Sequence, residues 1–146
     1  MHPITRALIF AASYHDGQLS DDGTPYILHP IEVALLIPTD TPNRETAQVV
    51  ALLHDTVEDT DATLRQIGGV FGREVRDAVD AVTHRGNEPH IDFVKRAAEN
   101  TLGRVVKHAD IIHNHLFRTP VEDPVRRERL HNKYEAALDY LEGRAT

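Results

Sequence analysis

The chain has 146 residues, enough for one domain with a real core, and no cysteine, which excludes disulfides and thiolate metal sites. Sixteen Lys and Arg against 23 Asp and Glu leave a formal net charge of -7, which argues against a broad nucleic-acid surface and repels phosphorylated ligands at long range. No apolar run approaches the ~20 residues that cross a bilayer, and the N-terminal stretch is too short and polar for a secretory signal, so a cytoplasmic chain with no membrane partner is expected.

The spacing predicts a first helix over 3–15, with Ile4, Leu8, Ala11 and Ala12 on one face and Pro3 in its first turn. Asp16, Gly17, Asp21, Asp22, Gly23 and Pro25 break regular structure over 16–26. A second helix is expected over about 29–37, with Ile31, Ala34 and Leu35 inward, ended by the segment from Pro38 to Asn43. The third, about 44–56, carries Ala47, Val50, Ala51, Leu53 and His54. Thr60 or Asp61 can cap a fourth at about 62–71, and Gly72 divides it from a fifth at about 73–84. Arg85 to Pro89 break the chain before helices at about 90–100 and 103–117. Pro120 and Pro124 bracket a loop, and a last helix over about 125–142 has Leu130, Tyr134, Ala137, Leu138 and Leu141 on one face. No stretch alternates with period two, so the expected fold is all-α, about eight short helices in a single domain spanning 1–146.

Chemistry concentrates in Leu52-Leu53-His54-Asp55-Thr56-Val57-Glu58-Asp59. An apolar run delivers four side chains that bind metals or move protons, and burying them is costly unless they are paired or hold a cation. If the helix continues, Glu58 shares a face with His54, and Asp59 with Asp55. A second apolar approach, Val105-Val106-Lys107-His108-Ala109, leads to Asp110, with Asn114 one turn on. His29, His54, Asp55 and Asp110 then make a two-imidazole, two-carboxylate set suited to Mn, Fe, Co, Ni or Zn. A six-coordinate ion so held keeps two positions for water and a phosphate oxygen. Lys107 is placed to contact phosphate, and Asn114 to contact substrate or to orient a ligand. Each residue has a plainer reading alone: His29 as a helix cap, His54-Asp55 as a polar helix end, Asp110 as a solvated carboxylate, Glu58 and Asp59 as loop acids. His15, His84, His108, His113, His115 and His131 read as surface or packing histidines. The case rests on the combination.

These segments resemble the HD-domain hydrolases related to the hydrolase half of the RelA/SpoT enzymes and their small stand-alone relatives. The resemblance runs through Ala11-Ala12-Ser13-Tyr14-His15 to Gln18, Gly23-Thr24-Pro25-Tyr26-Ile27-Leu28-His29-Pro30, Leu52 to Asp59, Phe71-Gly72, Val82-Thr83-His84, and Val106-Lys107-His108-Ala109-Asp110 with Asn114. It implies a helical HD fold and a Mn²⁺-dependent phosphohydrolase acting on a small nucleotide, with other divalent metals as alternatives. It also implies that His29, His54, Asp55 and Asp110 bind the ion, that Glu58 and Asp59 activate or orient water, and that Asn114 contacts substrate. His15 and Tyr26 match the pattern as residues that shape the pocket. The implied reaction removes the 3′-pyrophosphate from guanosine tetra- or pentaphosphate. One departure stands out: the family places an Arg-Lys pair against the nucleotide where this chain has Ser20 and Asp21. Ser20 is the substrate-contacting candidate there, and the exchange loses positive charge worth about 1–3 kcal/mol per charge-assisted bond. Two other readings follow: the same chemistry on another nucleotide, such as NADPH or a deoxynucleotide, and a helical module that binds nucleotide or metal without turnover. The sequence carries no sign of oligomeric state.

Overall fold

The fold is built around one helix whose C-terminal half is apolar on every side. The computed structural model describes all 146 residues. In chain order these form α1 (Pro3–Tyr14), α2 (Leu28–Leu35), α3 (Arg44–Leu53), a one-turn α4 (Thr56–Asp59), α5 (Leu64–Phe71), α6 (Arg73–Ala81), α7 (His90–Ala98), α8 (Thr101–Ile112), a π turn (His113–Phe117) and α9 (Pro124–Leu141). No strand forms, and a lone bridge between Leu19 and Pro25 ties down the loop after α1. The expectation of an all-α fold is met.

Helix α3 buries Ala47, Val49, Val50, Ala51, Leu52 and Leu53. A helical stretch apolar all round, as over Val49–Leu53, belongs in the core, and α1, α2, α6 and α8 pack against α3. A smaller apolar cluster, including Val94, Ile111, Ala137, Leu138 and Leu141, joins α7, α8 and α9. Close approach of α7 and α8 depends on Gly103, where a Cβ would come within 2.8 Å of the Ala97 carbonyl oxygen.

Several expected details are corrected. In α1 the inward residues are Ala7 and Ala11, while Leu8 is exposed. In α2 they are Val33 and Ala34, with Ile37 just beyond, and Leu35 is 70% exposed. Thr63, not Thr60 or Asp61, caps α5: its side chain accepts from the Gln66 amide, and Gln66 Oε1 accepts from the Thr63 amide. The third helix stops at Leu53, not at 56. There the His54 ring nitrogen Nδ1 bonds to the Ala51 carbonyl at 2.6 Å, and the Thr56 hydroxyl donates to the Leu53 carbonyl at 2.7 Å. Side chains thus occupy carbonyls that a continuing helix would need. Likewise α8 ends at Ile112 and passes into the π turn, where a straight helix to 117 is expected.

Candidate metal centre and its cleft

The break after Leu53 is what turns His54 and Asp55 toward α2 and α8. His54 Nε2 lies 3.0 Å from Asp55 Oδ2 and 3.3 Å from Asp110 Oδ1. His29 Nε2, from the first turn of α2, lies 3.0 Å from Asp110 Oδ1 and 3.6 Å from Asp55 Oδ2. The ligand atoms of His29, His54 and Asp110 all fall within 4.8 Å of one another, and Asp55 stands beside them. His29, His54 and Asp110 are buried, and the Asp55 side chain is 14% exposed. Four residues from three separated segments are therefore brought to one point.

The hydrogen bonds at the rear of each imidazole set what faces that point. His54 donates Nδ1–H to the Ala51 carbonyl, which leaves Nε2 as the nitrogen that faces this point and offers a lone pair once its proton is displaced. That buried Nε2 has no well-aligned hydrogen-bond partner, although two carboxylates lie beside it. Behind His29, Nδ1 meets His113 Nδ1 at 2.8 Å, and His113 Nε2 meets the Glu32 carboxylate. Because the carboxylate can only accept, His113 donates from Nε2 and accepts at Nδ1. His29 then donates from Nδ1 and also presents a lone pair on Nε2. Two imidazole Nε2 atoms and two carboxylates converge, a donor set that fits a divalent cation in place of the His54 proton.

The two carboxylates draw positive charge to this point. Burial disfavours charge on His54, but the Asp55 and Asp110 carboxylates outweigh it and hold His54 well above the usual histidine range. Burial would raise Asp55, yet the charge on His54 holds it at about 2. Asp110 is held well below the usual carboxylate range against burial by Lys107 and His54. The site calls for positive charge.

Asp110 divides its oxygens. Oδ2 accepts from Lys107 Nζ at 3.0 Å, and Oδ1 accepts from Asn114 Nδ2 at 3.1 Å while facing the two imidazoles. Lys107 is buried, with Nζ 4.2 Å from the Phe93 ring centre. The Tyr26 hydroxyl donates to Asp55 Oδ2, and burial with the Asp55 charge pushes that hydroxyl above its ordinary range.

Asp55, Glu58, Asp59, Lys107, Asp110 and Asn114 line a cleft of about 460 Å³ over this centre, together with His84, His90, Arg118 and Lys133. The two acids of α4 differ. Glu58 Oε1 accepts from the His84 amide at 2.7 Å, which ties α4 to the far wall. Desolvation at the cleft wall, then the charges of Asp55 and Glu58, push Asp59 up to about 6. Burial, then the charges of Lys133 and Lys107, push His90 down to about 4. Asn114, Arg118 and Tyr134 also border a larger neighbouring cleft of about 820 Å³, lined by Asp21, Asp22, Arg126 and Arg127 among others. Ser20 lines neither cleft: its backbone closes the tight turn to Gly23 and Thr24, and Asp21 is the residue presented.

His113 and Glu32 were not readable as site residues from single positions. The available signal is spacing: Glu32 is three residues after His29, and His113 three after Asp110, so each shares a helical face with a candidate ligand.

The fold and this His-Asp constellation define an HD domain, and the chain belongs to that family: the HD domain family pattern matches residues 7–112. Within it, the chain is similar to the RelA/SpoT group. It is 44% identical over 80 residues to a GTP pyrophosphokinase of Myxococcus xanthus, covering 55% of this chain and 10% of that protein. It is 42% identical over 97 residues to a guanosine-3′,5′-bis(diphosphate) 3′-pyrophosphohydrolase of Aquifex aeolicus, covering 66% of this chain and 13% of that protein. The chain thus spans only a small fraction of the length of these relatives. A solved structure described as a metazoan ortholog of SpoT that hydrolyses ppGpp superposes with a TM-score of 0.81 at 28% identity, over 98% of this chain and 87% of that one.

Proposed function

We propose that residues 1–146 act as one HD-type phosphohydrolase unit that removes the 3′-pyrophosphate from guanosine tetra- or pentaphosphate, yielding GDP or GTP and pyrophosphate. The observation that carries this reading is the convergence of His29, His54, Asp55 and Asp110 on one buried point at the floor of a cleft. The kinship with the Aquifex enzyme and the metazoan SpoT ortholog supports the substrate class. These four residues would hold Mn²⁺, or another divalent ion, which when bound supplies Lewis acidity toward a phosphoryl oxygen and toward water.

The chain's own groups do the rest. Lys107 and Asn114 fix Asp110, and the Glu32–His113 pair fixes His29, so the donor set is preorganised before substrate arrives. Asp59, at about 6, is suited to take a proton from the attacking water near neutral pH, and Glu58 anchors the opposite wall through the His84 amide. Arg118 and Lys133 offset phosphate charge that the -7 chain would otherwise repel. In this reading the protein works in the cytoplasm on a free nucleotide.

A second reading is favoured by one feature of the neighbouring cleft. Asp21, at one of the two positions where the resembling family carries a cation, puts a carboxylate on its wall beside Asp22, and Arg126 and Arg127 stand among the same lining residues. That redistribution of charge favours a nucleotide of different shape, such as NADPH or a deoxynucleotide, at the same centre. Mn²⁺-loaded protein assayed against ppGpp, NADPH and deoxynucleoside triphosphates separates the readings. Preferred cleavage of ppGpp is expected; untouched ppGpp beside cleavage of another nucleotide selects the second. Metal loss in Asp55→Ala without lost turnover would exclude both.

A further inference from the structure

We propose that His115, His131 and Glu135 form a second metal site, at the edge of the larger cleft, for a borderline ion such as Zn²⁺. The inference is independent of the reaction assigned to the HD centre. Its basis is a second convergence of donors. The ligand atoms of these three residues all lie within 4.8 Å of one another. His115 Nε2 is 2.8 Å from Glu135 Oε1, and the His115 and His131 ring centres are 5.1 Å apart.

The backbone makes this meeting possible. His131 and Glu135 are four residues apart on α9 and share a face one turn apart. His115 comes from the π turn, whose wider winding rotates it out of line with α8 and toward α9. The same turn directs His113 inward to His29, so two histidines two positions apart serve opposite sides. His115 is mostly buried, at 12% side-chain exposure, and gives the site one fixed wall. Glu135 is 45% exposed and His131 is exposed, so both can rotate. Small rotations bring the donors to the ~2.0–2.2 Å bonds that zinc makes with nitrogen and oxygen. Only the His115–Glu135 bond is given up, and both of its atoms become ligands.

Donor chemistry selects the ion. Two imidazoles and one carboxylate suit zinc and its neighbours over magnesium or calcium. Three protein ligands leave a position open toward the 820 Å³ cleft, where His115 and His131 are lining residues. Arg118, Arg126 and Arg127 share that cleft and weaken cation binding, so the site is weaker than a closed structural one. Arg118 is engaged with Asn114 Oδ1 and Arg127 with the Val121 carbonyl. An ion here would tie α9 to the π turn that carries Asn114, and so stiffen the junction of the two clefts.

The test counts metal. Metal-free wild type and His131→Ala are dialysed to equilibrium against the same fixed free Zn²⁺ concentration, and bound zinc per chain is counted against the dialysate. His131→Ala is expected to hold one equivalent less than wild type, with the same melting temperature in EDTA. Co²⁺ in place of Zn²⁺ is expected to give visible d–d absorption that weakens in the variant by the share of that site. Equal zinc content in wild type and His131→Ala would overturn the proposal. Glu135→Gln provides the same comparison should His131→Ala not fold.

Discussion

Two groups of histidines and carboxylates flank the same π turn, and they are built in opposite ways. In the HD centre each imidazole has its rear nitrogen occupied, His54 by the Ala51 carbonyl and His29 by His113 and Glu32. Asp110 is held from one side by Lys107 and from another by Asn114. At the edge of the larger cleft, His115 and Glu135 hold each other, while His131 is exposed on α9. Burial accounts for the difference. A buried donor without a partner costs about 1–3 kcal/mol, so the inner group needs a full set of supports. In the outer group, water can satisfy Glu135 and His131 at little cost. The inner group is a unit that fails together; the outer one can lose a member without consequence to the fold.

The largest effect should come from breaking the inner unit at its hub. Asp110→Ala strands the buried Lys107 ammonium and removes the acceptor shared by two imidazoles. A stability loss of about 3–5 kcal/mol is expected in denaturant melts, with loss of metal and turnover. Next is the support behind His29. His113→Ala and, more mildly, Glu32→Gln should weaken Mn²⁺ binding by about 10–100-fold, measured by calorimetry, while the fold is kept. Unchanged affinity in both would mean that the Glu32–His113–His29 chain is packing alone.

Smaller effects belong to the exposed rim. Arg96 holds Glu88 by two bonds of 2.9 and 3.0 Å and also reaches the Thr83 carbonyl, which closes the 83–88 segment. Hydrogen bonding to Arg96 lowers Glu88 from the ordinary 4.5 to about 2. A depressed carboxyl stabilises the fold fully above its unfolded value, so this contribution is lost as pH falls from about 4.5 toward 2. Being near the surface, the pair should contribute under about 1 kcal/mol, and Glu88→Gln should flatten stability in that window. The smallest change is expected for His131→Ala, within about 0.5 kcal/mol of wild type in metal-free melts.

Much of the inner unit was legible in the chain. Adjacent His54 and Asp55 after an apolar run, His29 before Pro30 and Asp110 after a second apolar approach are the residues to single out, and their imidazoles lie 3.0–3.6 Å from their carboxylates. The all-helical class follows from spacing alone. What was not legible depends on side chains acting on the backbone. The stop after Leu53 follows from His54 and Thr56 taking carbonyls, and no periodicity reports that. The π turn has no comparable local signal, yet it decides that His113 turns inward and His115 outward. His113 read as a packing histidine because its partners, His29 and Glu32, lie over 80 positions away. Leu8 and Leu35 misled because apolar residues also sit on surfaces. Asp21, rather than Ser20, faces the larger cleft because a tight turn from Ser20 to Thr24 uses Ser20's backbone.

The central claim is that four converging side chains make this chain a metal-dependent phosphohydrolase of a guanosine 3′-pyrophosphate. The most direct measurement is product identification after incubating ppGpp with Mn²⁺-loaded protein, with EDTA-treated protein, and with Mn²⁺-treated Asp55→Ala. GDP and pyrophosphate in the first sample alone are the expected result. Intact ppGpp in all three, or cleavage that survives both EDTA and Asp55→Ala, would contradict the account.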